Sequence, residues 1–311
     1  MTRPLTFGIC TDQNMSWELT VDRWRMFERL GFDSAWVCDH LVQPSRPTGP
    51  YFEAWTLLAG LAARTERIRL GVLVSSNTFR HPAILAKEAV TVDHISGGRL
   101  EVGLGGGWYE PEHAMFGIPF PETGELVGRF REAAQVVDLL LRQELSSFEG
   151  RYYGLRDARS RPAPVQAPRP PLLLAAFGPR MLRIVAEHAD TWNGFGSADE
   201  MGERNQLLDH HCADLGRDPN SLTRSLYCWA VTGQGDPWAS VQAFHDVIGP
   251  YLESGMNQFL IAQPADSQLG TMERIASDVL PALRAAGTAD REPVPGRPGR
   301  TAAWSRPADY V

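Results

Sequence analysis

The chain lacks the marks of several whole classes of protein. No apolar run is long enough to span a bilayer, and no apolar signal core follows Arg3. Positive charge is not in excess. Thirty Lys+Arg against 37 Asp+Glu leave a formal net charge of -7, which argues against a surface that tracks nucleic-acid phosphates but leaves room for one local phosphate site. Cysteine is scarce: Cys10, Cys38, Cys212 and Cys228 form no C-x-x-C pair and read as reduced, mostly buried thiols of a cytoplasmic protein. Metal chemistry has no foothold, because there is no H-E-x-x-H and no H-x-H on the first strand. The adjacent His210 and His211 point different ways on a helix and read as solvated surface. No G-x-S-x-G offers a serine nucleophile.

What is present is alternation. Short apolar runs rich in β-branched residues are expected as strands at 5–10, 34–38, 69–74, 100–104, 172–176, 191–193, 222–231 and 258–261. Longer amphipathic segments are expected as helices at 20–30, 53–65, 82–96, 122–143, 179–189, 199–215, 240–252 and 270–284. Pro82 suits the first position of its helix, and Gly97 suits the stop. Eight strand–helix units in 311 residues predict an α/β fold, a (β/α)8 TIM barrel with insertions at its carboxyl face. A doubly wound open sheet is the rival, but strand one leads into Thr11-Asp12-Gln13-Asn14 rather than a G-x-G-x-x-G turn. The barrel domain takes residues 1–287. Within it, 146–171 is a Pro- and Arg-rich insertion or lid, with a small hairpin over 148–153. Residues 288–311 form a Pro/Gly/Arg-rich tail.

In such a barrel the loops after the strands build the site, so the strand ends supply the candidates. Asp39 and His40 follow strand two; they suit acid–base work or simply cap the strand. Leu73, Val74, Ser75 and Asn77 close strand three and can face the polar edge of a flat ring, or cap the next helix, with His81 as a turn residue. Gly105, Gly106 and Gly107 end strand four and allow close approach of a ligand. Trp108 and Tyr109 behind them wall a pocket or belong to the core. Ala175, Ala176, Phe177, Gly178 and Pro179 lead from strand five into a helix N-terminus, a generic cradle for phosphate, with Trp192 on strand six close enough to join.

These residues resemble the luciferase-like oxidoreductases that use flavin or deazaflavin. The likeness rests on Phe79-Arg80-His81-Pro82, Ser96-Gly97-Gly98-Arg99 and Gly105-Gly106-Gly107-Trp108-Tyr109-Glu110-Pro111-Glu112, with support from Asp39-His40 and Gly178-Pro179-Arg180. It extends over about residues 5–285 and is closest to the branch that uses coenzyme F420. The resemblance implies a barrel that is often dimeric, a non-proline cis peptide at Leu73–Val74 beneath the cofactor ring, and the cofactor phosphate near Ala176, Phe177 and Gly178. Asp39 and Asn77 would lie at the ring's polar edge, and His40 would face the substrate. The family's sugar-phosphate dehydrogenases carry a glutamate acid just after the glycines of strand four, where this chain has Trp108, which implies a more apolar substrate.

The expected activity is hydride transfer between coenzyme F420 and a small organic substrate, with His40 and Asp39 catalytic and Trp108, Tyr109 and Trp192 lining the pocket. The alternative is an FMN-dependent monooxygenase that uses reduced FMN, oxygen and a separate flavin reductase. A second alternative is a non-catalytic flavin-binding protein. A homodimer is expected by the same likeness, and no nucleic-acid or membrane partner.

Overall fold

A computed structural model describes residues 4–229 and 235–288. Strand β1 (Thr6–Cys10) is followed by α1 (Trp17–Arg29), β2 (Ser34–Val37), α2 (Ala54–Ala62), β3 (Arg69–Val72) and β4 (Ser75–Ser76). Helix α3 (Pro82–Ser96), β5 (Leu100–Gly105), α4 (Glu110–Phe116) and α5 (Thr123–Arg142) come next. An antiparallel pair, β6 (Leu145–Glu149) and β7 (Gly154–Arg159), precedes β8 (Leu172–Ala175), α6 (Pro179–His188), β9 (Thr191–Gly194) and α7 (Ala198–Asp214). The chain then runs through β10 (Thr223–Cys228), α8 (Val241–Glu253), β11 (Gln258–Ala262), α9 (Leu269–Arg274), a π-helical turn and α10 (Leu280–Thr288).

The sheet closes on itself. β1 pairs in parallel with both β2 and β11, and the remaining staves follow in parallel around the ring. β3 and β4 are two halves of one stave, divided by the cis peptide Leu73–Val74. The expected strand 69–74 is therefore broken at that bond. The rest of the expected barrel stands, with helix ends displaced by up to four residues and a π-helical turn inside the last expected helix. The expected strand end at Ala230 and Val231 and the tail beyond 288 fall outside the described residues.

Alternation along each strand sorts the side chains into two cores. Outward residues such as Phe7, Ile9, Leu172, Leu174, Phe259 and Ile261 pack against the helices. Inward residues Cys10, Trp36, Leu73, Leu173 and Leu260 fill the barrel, joined by half-buried Cys38, Val74 and Tyr227. Trp36 takes the space a side chain at position 71 would need: a Cβ on Gly71 would lie 2.4 Å from the indole. Helix starts are defined by the sequence. Ser16, His81, Ser197 and Ser240 each cap their helix, and Gly97 ends α3 at φ 66°.

The insertion differs from expectation. The hairpin is longer, with 150–153 as its turn, because Glu132 on α5 accepts the backbone N–H groups of Arg151, Tyr152 and Tyr153. Beyond it the chain is pinned along α3, through Lys87 to Arg161 O, His94 to Ala163 O and Asp93 to the Val165 and Gln166 amides. The segment is strapped to α3 and α5 by these contacts. It reaches the barrel mouth only at its tip, where the Tyr153 hydroxyl donates to Asn77 Oδ1 at 3.3 Å.

Candidate active site

Four strand ends converge at the carboxyl mouth. The loop after β2 places His40 against Glu112 of α4. His40 Nδ1 lies 2.7 Å from Glu112 Oε1, and Glu112 Oε2 accepts the Leu41 amide at 2.8 Å. Glu112 is almost fully buried, and its two oxygens hold the imidazole and the backbone just after it. Its acceptor oxygen keeps the hydrogen on Nδ1 and leaves Nε2 as the working nitrogen. Burial works against charge on His40. The Glu112 hydrogen bond and the charges of Glu112, Cys38 and Asp39 outweigh it and raise the pKa above the ordinary histidine value. Trp108 and Tyr109 flank the ring edge-on, at 5.6 and 6.3 Å between centroids. Tyr109 is half-buried and Trp108 is exposed.

Sequence reasoning missed the role of Glu112. It sits on a seven-residue helix too short to show a hydrophobic period. The available signal was the opening Glu110-Pro111-Glu112, with proline and acidic residues in a first turn.

Asp39 has a different part from the catalytic one expected of it. It is buried, accepts the Ser76 amide at 2.7 Å and binds Arg80 through both oxygens. Arg80 also reaches Glu53 and Glu88, each at 3.3 Å. Burial opposes the charge on Arg80, yet Asp39 and then the two glutamates hold its pKa up. With both oxygens engaged, Asp39 latches β2 to β4 and is a positioning residue rather than a proton carrier.

Asn77 is better placed for a ligand. Its backbone N–H is fixed by Gly105 O, its Oδ1 takes the Tyr153 hydroxyl, and its Nδ2 is buried with no partner among the described residues. Ser75 is not so placed: its hydroxyl accepts the Trp55 indole N–H from α2 and faces the helical shell. That corrects Ser75 as a side chain for a ring. Leu73 and Val74 do face into the barrel.

The glycine run is also read differently once its neighbours are seen. A Cβ on Gly105 would meet Val74 at 2.5 Å, and one on Gly107, at φ 88°, would meet the Thr78 hydroxyl at 2.7 Å. These two glycines let strands and a hydroxyl network come together, rather than a ligand. The network runs from Ser76 through Thr78 to His113, which reaches back to Tyr109 O. Gly106 alone of the three has room, with nothing nearer than Met181 at 3.7 Å.

The turn expected to cradle a phosphate leaves its helix start uncapped. Ala175 and Ala176 lead through Phe177 to Gly178, the N-cap of α6, where no side chain caps the helix and nothing stands within 4 Å of a Cβ position. Pro179 follows as the first helical residue. Free backbone N–H groups at a helix start attract an anion. Trp192 is not in the pocket. It is fully buried in the outer core, and its indole donates to Ala176 O at 2.9 Å. His210 is exposed as expected, whereas His211 is half-buried with both ring nitrogens enclosed. No cluster of three or more metal-ligating side chains occurs among the described residues, and no described helix is long and apolar enough to cross a membrane.

Comparison with known proteins gives the family and the fold. The luciferase-like monooxygenase family matches residues 6–293. An F420-dependent glucose-6-phosphate dehydrogenase of Beutenbergia cavernae is 31% identical, over 83% of this chain and 91% of its own. Among solved structures, an F420-dependent secondary alcohol dehydrogenase in complex with an F420–acetone adduct superposes with a TM-score of 0.76 at 17% identity, over 90% of this chain and 99% of that one. A monooxygenase from Streptomyces bottropensis superposes with a TM-score of 0.74 at 22% identity, over 90% of this chain and all 100% of its own. The chain belongs to the luciferase-like monooxygenase family.

Proposed function

We propose that the protein is an oxidoreductase dependent on coenzyme F420, working on a carbon–oxygen centre of a small, largely apolar organic substrate. The observation that carries this reading is the His40–Glu112 pair at the barrel mouth, with Nε2 of His40 left for a substrate oxygen. The F420-dependent relatives support the choice of cofactor.

The residues present fit a deazaflavin. The unpartnered Asn77 Nδ2 suits the carbonyl edge of a ring, beside the latched Asp39 and above Leu73 and Val74. The uncapped start of α6 at Gly178 suits a phosphate. When bound, the deazaflavin supplies or accepts the hydride. His40 handles the proton: Nε2 gives one to a carbonyl oxygen as the carbon is reduced, or takes one from the alcohol in the reverse direction. Glu112 keeps that nitrogen aimed and charged when needed. Trp108 and Tyr109 shield the exchange from water and favour apolar substrates over sugar phosphates. Four free cysteines suit a cytoplasmic protein, and the family likeness suits a homodimer, which sedimentation tests directly.

Titration with coenzyme F420 and with FMN, each oxidised and reduced, decides the cofactor. Binding of F420 alone is expected. Preference for reduced FMN, with substrate-dependent oxygen uptake, would replace this reading with a monooxygenase fed by a separate reductase. Binding without turnover across a panel of ketones and alcohols would leave a flavin carrier.

A further inference from the structure

Two of the four cysteines meet inside the barrel. Cys10 ends β1, and Cys38 lies one residue beyond β2, two past Trp36, the residue in register with Cys10. Both side chains therefore point inward, and their sulfurs are 3.4 Å apart. The backbone around them is fixed from three sides. Thr11 N donates to Trp36 O, Cys38 N donates to Gln13 Oε1 at 2.6 Å, and Gln263 N donates to Cys10 O. Gln13 is itself buried and also takes the Tyr51 hydroxyl. Cys10 is buried, while Cys38 is half-buried, two residues from His40. The other two cysteines, Cys212 and Cys228, belong to the outer core and are buried there.

A buried thiol is usually a small apolar filler. Two in contact, one of them half-buried, are a different chemical object. We propose that Cys10 and Cys38 are a reversible dithiol site, oxidised by hydrogen peroxide to a disulfide across the ends of β1 and β2, beneath the active site. Cys38 is the attacking sulfur. The hydrogen bond from Cys10 and then the charge of His40 lower its pKa against the opposing effect of burial, while that same contact pushes Cys10 up. The Cys38 thiolate displaces hydroxide from peroxide. An S–O bond forms, the O–O bond breaks, and the hydroxide leaves as water with a proton from solvent. The sulfur of Cys10 then attacks Cys38, forming the S–S bond and breaking S–O, and a second water leaves with the Cys10 proton. Two electrons pass from the two sulfurs to one peroxide. A dithiol reductant reverses the change by exchange.

The bond has a consequence for the mouth. A disulfide holds its sulfurs about 2 Å apart, so closure draws Cys38 toward β1. Asp39 and His40 are the next two residues and move with it. Oxidation is expected to lower turnover without removing the protein from solution, and reduction to restore it.

The reduced full-length protein is treated with one equivalent of hydrogen peroxide, denatured, alkylated and weighed. Two of the four thiols should resist alkylation, and a non-reducing digest should yield one linked peptide pair holding Cys10 and Cys38. Cys10→Ser should leave a sulfenic acid on Cys38 that dimedone traps, while Cys212→Ser should leave the linkage intact. Four alkylated thiols, a link to Cys212 or Cys228, or overoxidation of Cys38 with no linked peptide would each overturn the proposal. The linked peptide is read by mass on the wild-type chain. That reading is decisive even where the serine variant does not fold, and it does not depend on which cofactor or substrate the site takes.

Discussion

At the amino end of the barrel, arginines are fully engaged. Arg99 donates to the carbonyls of Ala62, Thr65, Ile68 and Ser96 and to the Thr65 hydroxyl. Arg69 binds Glu101 at 2.6 Å, and Arg169 bridges Asp138 and Asp190. A polar hollow of about 590 Å³ opens there, lined by Glu101, Arg169, Asp190 and Gln258 among others, and its charges answer one another. At the carboxyl end the polar groups are only partly answered. Asn77 keeps an unpartnered Nδ2, α6 keeps an uncapped start, and His40 has one nitrogen spoken for and one open. Room alone does not make a site. Nor does one unmet hydrogen bond, since Gln258 Oε1 at the amino end is also buried without a partner among the described residues. What sets the carboxyl end apart is that an unpartnered amide, an uncapped helix start and an open imidazole nitrogen lie at the same mouth.

That contrast can be broken by mutation. The largest effect is expected from His40→Ala, with turnover falling by about 10²–10⁴-fold while cofactor titration stays as in the wild type. Wild-type turnover would show that the open nitrogen is idle. Arg99→Ala should do the reverse, costing about 3 kcal/mol in a denaturant melt with cofactor affinity unchanged in the folded fraction. A loss of affinity there would extend the site to the wrong end of the barrel. Within the glycine run, Gly107→Ala should cost about 2 kcal/mol from its backbone conformation and the Thr78 contact. Gly106→Ala should melt within about 0.5 kcal/mol of the wild type, and equal melts would return both glycines to the same role. Glu112→Gln should slow turnover about tenfold and change its pH profile. Carbonyl reduction needs His40 protonated, so the rate falls as pH rises through a pKa that Glu112 holds up. Without that carboxylate the fall begins at lower pH, and an unmoved profile would separate the two residues. Asn77→Ala should lose about fivefold in cofactor affinity, measured by calorimetry, with little change in melting temperature.

The barrel was legible because its strands and helices repeat with clear periods and its helix starts and stops are chemically marked, as at Pro82 and Gly97. His40 was legible because it follows a strand directly. Other parts of the site depended on contacts that no spacing reveals. Trp192 looks like a pocket aromatic at a strand end, but strand parity sends it outward into the core. Ser75 and Gly105 suffer from the same parity, shifted where the stave breaks at Leu73–Val74. The Cys10–Cys38 contact needs the register of two strands that are distant in sequence. Glu132, which folds the hairpin turn, lies on an ordinary helix face and shows its purpose only when the turn comes down on it.

Trp192 holds the Ala176 carbonyl, and Ala176 is two residues before Gly178, the N-cap of α6. An indole deep in the shell therefore sets the height at which a surface helix begins. A survey of variants scored only for cofactor affinity would return position 192 as a hit, from a side chain fully buried in the outer core. Binding maps of this barrel will have roots in its core.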